Sequence, residues 1–292
     1  MKAAKPWHPY ALLLPTVVIL GLFFIYPLLL AVYRSFFAWD LLTEPTFVGL
    51  GHYRALIGTG ELSEIALRTL SYGVVVVVLS VAFGLCLALA LNRQGTIFAF
   101  VRGAVFSAYI VSWVAVGLLW LWILDGEAGV VSRALRATGL PTADWLSDPD
   151  VALYTLAAVT VWKITGYAMV IFLAGLQDIP KSVLEAAALD GASPWRRFWN
   201  ITWPMLRPTV AFVGTTSLIL SFQAFDIVRV MTQGGPVRST TVFVYAIYEQ
   251  VFMNLRVGRA SALTVVFFAM LVVLTILQLW AWRLGAKQRV AT

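Results

Sequence analysis

Residues 69–92, TLSYGVVVVVLSVAFGLCLALALN, contain no charged side chain and decide the class of fold. A helix needs about 20 predominantly apolar residues to cross the hydrocarbon core of a bilayer, and this stretch is long enough. Its residues do not alternate between apolar and polar types as those of a barrel strand do. Because a backbone in lipid must satisfy its own hydrogen bonds, the stretch is predicted to be a transmembrane helix.

Similar runs recur along the chain, so the sequence predicts an all-α integral membrane protein with six transmembrane helices. The other five predicted spans are residues 10–33, 103–124, 151–177, 208–225 and 260–282. Only Lys163 interrupts these runs with a charge. No stretch between them is long enough to fold alone, so residues 1–292 are predicted to form a single transmembrane domain.

The composition agrees with this class and argues against others. The chain is 61% hydrophobic and only 12% charged, whereas soluble domains carry about 25% charged residues. The net charge of +7 suits anionic lipid, and the scattered Lys and Arg residues form no basic block for nucleic acid. With Cys86 as the lone cysteine and two histidines, neither a disulfide nor a metal site is predicted.

Six spans place both termini on one side of the membrane. A cytoplasmic N-terminus gives a weak excess of Lys and Arg on the inner side, as the positive-inside rule requires. Both termini are therefore predicted to be cytoplasmic. Residues 241–252 are apolar but too short to span, and we expect an interfacial helix or a re-entrant segment there.

The segment from residue 178 to residue 208, DIPKSVLEAAALDGASPWRRFWNITWPMLRP, is the most informative connection. Ser182 and Glu185 have the spacing of a capping box, which predicts the start of a short helix. Gly191 supplies a turn, and Ser193 followed by a proline predicts the N-cap of a second, amphipathic helix. Pro204 and a further proline are expected to end that helix. From these residues alone, an ordinary cytoplasmic loop with well-formed caps is the favoured interpretation.

This segment also resembles the EAA loop of the permeases of bacterial binding-protein-dependent ABC importers. The matching residues are Glu185-Ala186-Ala187, Asp190-Gly191-Ala192, Ile201, Pro204 and Pro208. Members of that family are type I importer permeases. In them the loop forms a coupling helix that docks on a cytoplasmic ATPase subunit. The resemblance therefore implies an ATPase-coupling role for Glu185, Ala186, Ala187, Asp190, Gly191 and Ala192, within a coupling loop over residues 178–207.

Further motifs are similar to the sugar and glycerol-phosphate branch of that family, in its compact six-span form. They are Tyr26-Pro27, Trp162-Lys163 and residues 232–236, TQGGP. The resemblance implies that the solute site includes Tyr109, Thr160, Lys163, Ser217, Ser221 and Gln223. Lys163 departs from the maltose-type pattern, so a sugar and an anionic glycerophosphate compound both remain open as the solute.

The residues themselves allow other roles. Lys163 falls near the middle of its span, where an ionisable side chain is a functional candidate, but a lysine also snorkels or pairs with an acid such as Asp226. A Ser or Thr in a membrane helix often bonds to its own backbone. The solute-site assignments therefore rest on the resemblance.

No P-loop motif occurs in the sequence, so ATP and Mg are expected on separate subunits, and this chain is predicted to bind no cofactor. The resemblance implies a bacterial inner-membrane hetero-oligomer with a second permease, two ATPase subunits and an external solute-binding protein. Two alternatives remain open at this point, a secondary transporter and a polytopic membrane enzyme. The first needs inverted repeats and ion-coupling acids in the spans, and the second needs clustered acids or histidines.

Overall fold

The computed structural model describes residues 8–139 and 144–287, and helices dominate both ranges. The α-helices are α1 (His8–Leu20), α2 (Tyr26–Arg34), α3 (Gly51–Gly58), α4 (Glu61–Leu91), α5 (Thr96–Ile110), α6 (Trp113–Ile123), α7 (Val130–Ala137), α8 (Ala152–Gln177), α9 (Lys181–Leu189), α10 (Pro194–Arg197), α11 (Trp203–Phe222), α12 (Phe225–Met231), α13 (Phe243–Tyr248) and α14 (Val257–Lys287). Three π-helical turns join neighbouring helices at Gly21–Ile25, Phe198–Thr202 and Glu249–Met253. The short strands β1 (Phe37–Ala38) and β2 (Thr46–Phe47) pair antiparallel.

Within the described residues, five helices are long and apolar enough to cross a membrane, which confirms the all-α membrane fold. They are Leu13–Arg34, Glu61–Leu91, Ala152–Gln177, Pro194–Phe222 and Val257–Gln278. They match the first, second, fourth, fifth and sixth predicted spans. Helix α4 begins eight residues before the charge-free run because Glu61 and Glu64 occupy its first turn, where carboxylates favour the positive end of the helix dipole.

The third predicted span differs from the expectation. Helices α5 and α6 together are apolar enough to form a sixth span, but they meet at an angle of 102°. Val111 and Ser112 between them are extended, each with ψ of 142°. The prediction of one continuous helix over residues 103–124 is therefore wrong, because the backbone breaks in the middle of the run. The contacts that stabilise the break are described with the site.

The segment leading into the fifth span also needs a correction. Its helix runs without interruption from Pro194 to Phe222, so the expectation that Pro204 and Pro208 end it is wrong. Pro204 lies inside this helix, directly after a π-helical turn that accommodates its missing N–H. The π-helical turn before it, in which Trp203 N–H donates to the carbonyl of Phe198, joins the two parts.

The chain divides into two compact units. The first contains the described residues up to Glu64 together with Ala246–Leu274, and the second contains Ile65–Tyr245 together with the described residues from Thr275. In the first, Glu61 and Arg259 form an ion pair. In the second, α4, α8 and α11 share one apolar cluster. A side chain at Gly84 would lie 2.6 Å from the Cβ atom of Ala168, so the glycine lets α4 and α8 approach closely.

Candidate functional site

The predicted coupling loop, residues 178–207 and called the coupling segment below, consists of a helix, an elbow and a second helix. Helix α9 ends in a Schellman motif, in which Ala192 N–H donates to the carbonyl of Ala187 at 3.0 Å and Gly191 N–H donates to the carbonyl of Ala188 at 3.1 Å. Gly191 has φ of +75°, a conformation that favours glycine. The elbow predicted at Gly191 is therefore confirmed.

The two helix starts of this segment have different outcomes. Ser193 is the N-cap of α10, and its hydroxyl accepts the backbone N–H of Arg196 at 3.4 Å, as predicted. The capping box predicted for Ser182 and Glu185 is wrong. Helix α9 begins at Lys181 after Pro180, so Ser182 lies inside the first turn and no side chain caps this end. Pro180 occupies the N-cap position of α9. Because proline fixes its own φ, the helix starts here without a polar side chain as a cap.

The base of the segment is packed against the rest of the second unit, whereas its tip is exposed. Ile179 belongs to the apolar cluster of α4, α8 and α11, and Leu184 and Phe198 pack against it. Leu189 at the tip is 90% exposed, and Trp195 is 71% exposed. The base of the segment is therefore packed against three helices that are long and apolar enough to cross a membrane.

Lys163 lies at the break in the third span. Its ammonium donates hydrogen bonds to the carbonyls of Ala108 at 3.1 Å, Tyr109 at 3.0 Å and Val111. These carbonyls lie at the C-terminal end of α5, where helical partners are missing and the helix dipole is negative. The ring of Trp113 lies 4.8 Å from the same nitrogen. Lys163 thus caps a broken helix, which differs from the ion pair with an external acid that the sequence left open.

The predicted hydroxyl residues lie together around one turn of α4. Thr160 of α8 shares a 2.6 Å hydrogen bond with the hydroxyl of Tyr72, and both side chains are buried. A side chain at Gly73 would lie 3.4 Å from the hydroxyl of Ser221 of α11. The Ser221 hydroxyl itself donates to the carbonyl of Leu218 at 2.7 Å.

Ser217 and Gln223 differ from these neighbours. Ser217 lies one helical turn before Ser221 and is fully buried, and its hydroxyl has no hydrogen-bond partner within the described residues. Buried polar groups are nearly always paired, so such an oxygen requires an explanation. Gln223 is the exposed residue that ends α11.

The structure therefore sorts the predicted residues into two groups. Tyr109 and Lys163 meet at the helix break, where the ring of Tyr109 stacks on Tyr167 with centroids 5.0 Å apart. Thr160, Ser217 and Ser221 belong to the hydroxyl group around α4. The sequence did not identify Tyr72 or Trp113. Their only signal was a polar or aromatic side chain within an apolar run, which many non-functional residues share.

A polar pocket of about 410 Å³ lies in the first unit, and His52, Arg256 and Arg259 are among its lining residues. Asp40 forms part of its wall and accepts the backbone N–H of Thr43 at 2.8 Å. This bond, the Thr43 hydroxyl and a second backbone N–H hold the pKa of Asp40 below its ordinary value. The carboxylate is therefore ionised at neutral pH and holds the loop that follows β1.

Comparison with known proteins identifies the family. Residues 80–284 match the model of the binding-protein-dependent transport system inner membrane component. The sn-glycerol-3-phosphate transport system permease protein UgpA of Brucella abortus is 35% identical over 92% of each chain. The sulfoquinovosyl glycerol transport system permease protein SmoG of Agrobacterium fabrum is 33% identical over 89% of this chain and 85% of its own.

Solved structures agree on the fold. A bacterial ABC transporter involved in the import of the acidic polysaccharide alginate has a chain that superposes with a TM-score of 0.81 at 23% identity, covering 95% of both chains. The same kind of transporter in complex with an alginate pentasaccharide-bound periplasmic protein gives 0.78 at 24% identity, with 94% of this chain and 92% of that chain covered. The family consists of transport subunits, which decides against the membrane enzyme and the secondary transporter. The chain therefore belongs to the multi-pass inner-membrane permeases of binding-protein-dependent ABC importers, in the branch that includes the sugar and glycerol-phosphate systems.

Proposed function

We propose that this permease converts movements of a cytoplasmic ATPase into movements of its membrane helices through α9 and α10. The exposed Leu189 at the tip carries the proposal, because its burial in a partner's cleft would remove most of its apolar surface from water. The acids Glu185 and Asp190 flank it and offer hydrogen-bond acceptors. Glu185, Ala186, Ala187, Asp190, Gly191 and Ala192 together form the proposed docking surface.

The wider assembly follows from this role. A second permease would supply the other half of an alternating-access pathway, and two ATPase subunits would hold ATP and Mg, with both termini of this chain on their side. An external solute-binding protein would deliver the solute. Closure of the ATPase pair would move α9 as a lever, and the apolar cluster at its base would pass that movement to α4, α8 and α11.

Leu189→Ser tests the docking role. Because the leucine is already exposed, the variant should insert and unfold like the parent protein, yet lose an apolar contact worth about 1.5–3 kcal/mol at the interface. Co-purification with the ATPase subunits should then weaken by roughly 10- to 150-fold. Val237→Ser is the matched control, since Val237 is 85% exposed but lies outside the coupling segment. Unchanged ATPase binding by the Leu189 variant would contradict the proposal.

We further propose that the solute is a sugar-like polyol, with glycerol derivatives as the first class to test. Support comes from the two relatives, whose names each specify a glycerol compound. Thr160, Ser221 and the newly found Tyr72 would exchange their internal hydrogen bonds for solute hydroxyls when the pathway opens, and Ser217 would gain a partner. Tyr109, Lys163 and Gln223 would complete the proposed site. The unpaired hydroxyl of Ser217 is the strongest support from the structure.

Ser217→Ala separates a solute ligand from a packing residue. Since the Ser217 oxygen has no internal partner, its removal should not lower thermal stability. Loss of one hydrogen bond to the solute should raise the apparent KM for sn-glycerol-3-phosphate uptake by about 2- to 12-fold. Ser80→Ala is the control, because the buried Ser80 hydroxyl donates only to its own helix at 2.6 Å. Equal KM values for both variants would remove Ser217 from the site.

A further inference from the structure

An apolar groove of about 700 Å³ runs along the second unit between α4, α5 and α8. Leu79, Val105 and Cys86 are among the residues that line it. Its rim is bulky and open, since Phe83 is 52% exposed and Phe100 is 76% exposed. Interfaces between membrane helices favour small residues that allow close approach, whereas a bulky, open rim leaves room for a flexible hydrocarbon chain.

One end of the groove faces the coupling segment. Tyr72 contacts Thr160 and Gly84 lies beside Ala168, so α4 and α8 run in the same direction and end on the same side, where the coupling segment begins. Leu87 lines the groove, and Leu91 lies one helical turn beyond it. This end of the groove therefore lies near the connection between α4 and α5.

Two arginines stand at this end. Arg102 donates from Nη1 to the carbonyls of Leu91 at 2.9 Å and Arg93 at 3.0 Å, which fixes its guanidinium beyond the end of α4. The guanidinium of Arg93 lies 5.9 Å from the ring centroid of Phe98 and is exposed. Residues 69–110 contain no acid, so α4, α5 and the connection between them contribute only these two cations to this end of the groove. The N-terminus of α5 adds its positive dipole end on the same side.

We propose that the groove holds an acyl chain of an anionic phospholipid, whose phosphate contacts Arg93 and Arg102. The hydrocarbon covers apolar side chains that would otherwise lack a partner, and the phosphate complements the two guanidinium groups. Basic pockets between membrane helices on the cytoplasmic side bind anionic headgroups in this way, with about 1 kcal/mol from each Lys or Arg. A zwitterionic phospholipid would fill the groove without that preference. None of the residues of the proposed solute site lines the groove.

A fluorescence-quenching measurement tests the proposal. A bimane label is attached to Ala90→Cys in the Cys86→Ser background, which removes the native thiol. Position 90 lies one helical turn after the groove residue 86, so the label is beside the groove and not within it. The assembled transporter is reconstituted with phosphatidylglycerol or phosphatidylcholine brominated near the headgroup, and the unlabelled Cys86→Ser protein gives the background. We expect phosphatidylglycerol to bind about 5- to 30-fold more tightly at the label, as two cations at about 1 kcal/mol each imply.

Variants then show which residues cause the preference for phosphatidylglycerol over phosphatidylcholine. Arg93→Gln, which removes an exposed side chain, should lower the preference about fivefold, and Arg93→Gln with Arg102→Gln should abolish it. Arg207→Gln makes the same charge change on an exposed residue of α11 and should leave it intact. Equal quenching by the two lipids would overturn the proposal, since the groove would then hold lipid without headgroup selection. Absence of quenching by either lipid would also overturn it and indicate that a protein segment covers the groove.

Discussion

Lys163 and the break in the third span stabilise each other. An ammonium within a span costs about 2.5–3.5 kcal/mol unless it is compensated. The break exposes carbonyls at the end of α5, and the lysine has three N–H donors for three of them. Hydrogen bonds to a charged group contribute about 1.5–3 kcal/mol each, so the three together outweigh the cost of the charge.

Lys163→Met should therefore lower the stability of the permease. The methionine avoids the cost of a charge in the span, but it leaves three carbonyls of the broken helix without their donor. We expect a net loss of about 2–5 kcal/mol, measured as a lower midpoint of thermal unfolding in detergent. Thr165→Val is the control on the same helix, because the Thr165 hydroxyl donates only to Val161 one turn before it.

The same variant separates capping from solute binding. A methionine variant that unfolds like the parent and keeps basal ATPase activity, but takes up solute with lower affinity, would contradict capping and favour a direct contact with the solute. A variant with lower stability and an unchanged KM would remove Lys163 from the proposed solute site.

The pair formed by Tyr72 and Thr160 gives a second prediction. Tyr72→Phe removes one partner of a buried hydrogen bond and leaves the Thr160 hydroxyl unsatisfied, which should cost about 1–3 kcal/mol of stability. Thr160→Val should cost a similar amount, and the double variant should cost less than the sum of the two. Thermal unfolding of the four proteins measures this coupling. Additive losses would show that the 2.6 Å contact contributes nothing as a pair.

For single residues, the sequence could identify candidate side chains but not the groups with which they form hydrogen bonds. The charge of Lys163 within an apolar run indicated a candidate, whereas Thr160 was assigned from the family resemblance. Their partners lie 88 and 52 to 55 residues away along the chain, and no local pattern connects them. The pairing depends on how α4, α5 and α8 pack.

Among the elements, the coupling segment is the part that local sequence specified best. The turn at Gly191 and the cap at Ser193 are local interactions, so short-range rules located both. The cap assigned to Ser182 failed because Pro180 starts the helix two residues earlier. The prediction of one continuous helix for the third span was wrong for a different reason. Residues 110–113, IVSW, include neither Gly nor Pro, and the break is stabilised by Lys163 on another helix.

Gly191→Pro should uncouple ATP hydrolysis from transport. Proline cannot adopt φ of +75°, and it removes the N–H that donates to Ala188. No membrane-crossing helix is altered, so we expect normal insertion together with loss of solute uptake and of solute-stimulated ATP hydrolysis. Gly139→Pro is a matched control, because Gly139 has φ of +74° and ends α7 through an N–H bond to Arg136 at 3.1 Å. Uptake at the parent level by the Gly191 variant would contradict the role of the elbow.

For the whole molecule, hydropathy located five spans and the two halves of a broken sixth, because the requirement for about 20 apolar residues is set by the bilayer and not by packing. The family assignment then placed those helices in an importer permease. Orientation is a separate property, since the excess of Lys and Arg on the predicted inner side is small. The proposed docking of α9 on an ATPase requires that the coupling segment face the cytoplasm.

Two exposed side chains make that orientation measurable. In the Cys86→Ser background, which removes the lone cysteine, Leu189→Cys and Val237→Cys each place one thiol at a position that is at least 85% exposed. Six spans put these two positions on opposite sides of the membrane. A membrane-impermeant maleimide should therefore label Val237→Cys in cells with a permeabilised outer membrane, and Leu189→Cys only in inverted inner-membrane vesicles. Labelling of both thiols from the same side would contradict the six-span topology, because the segments that carry them are separated by the single span formed by α11. Labelling of Leu189→Cys from outside alone would reverse the orientation and remove the basis for ATPase docking at α9.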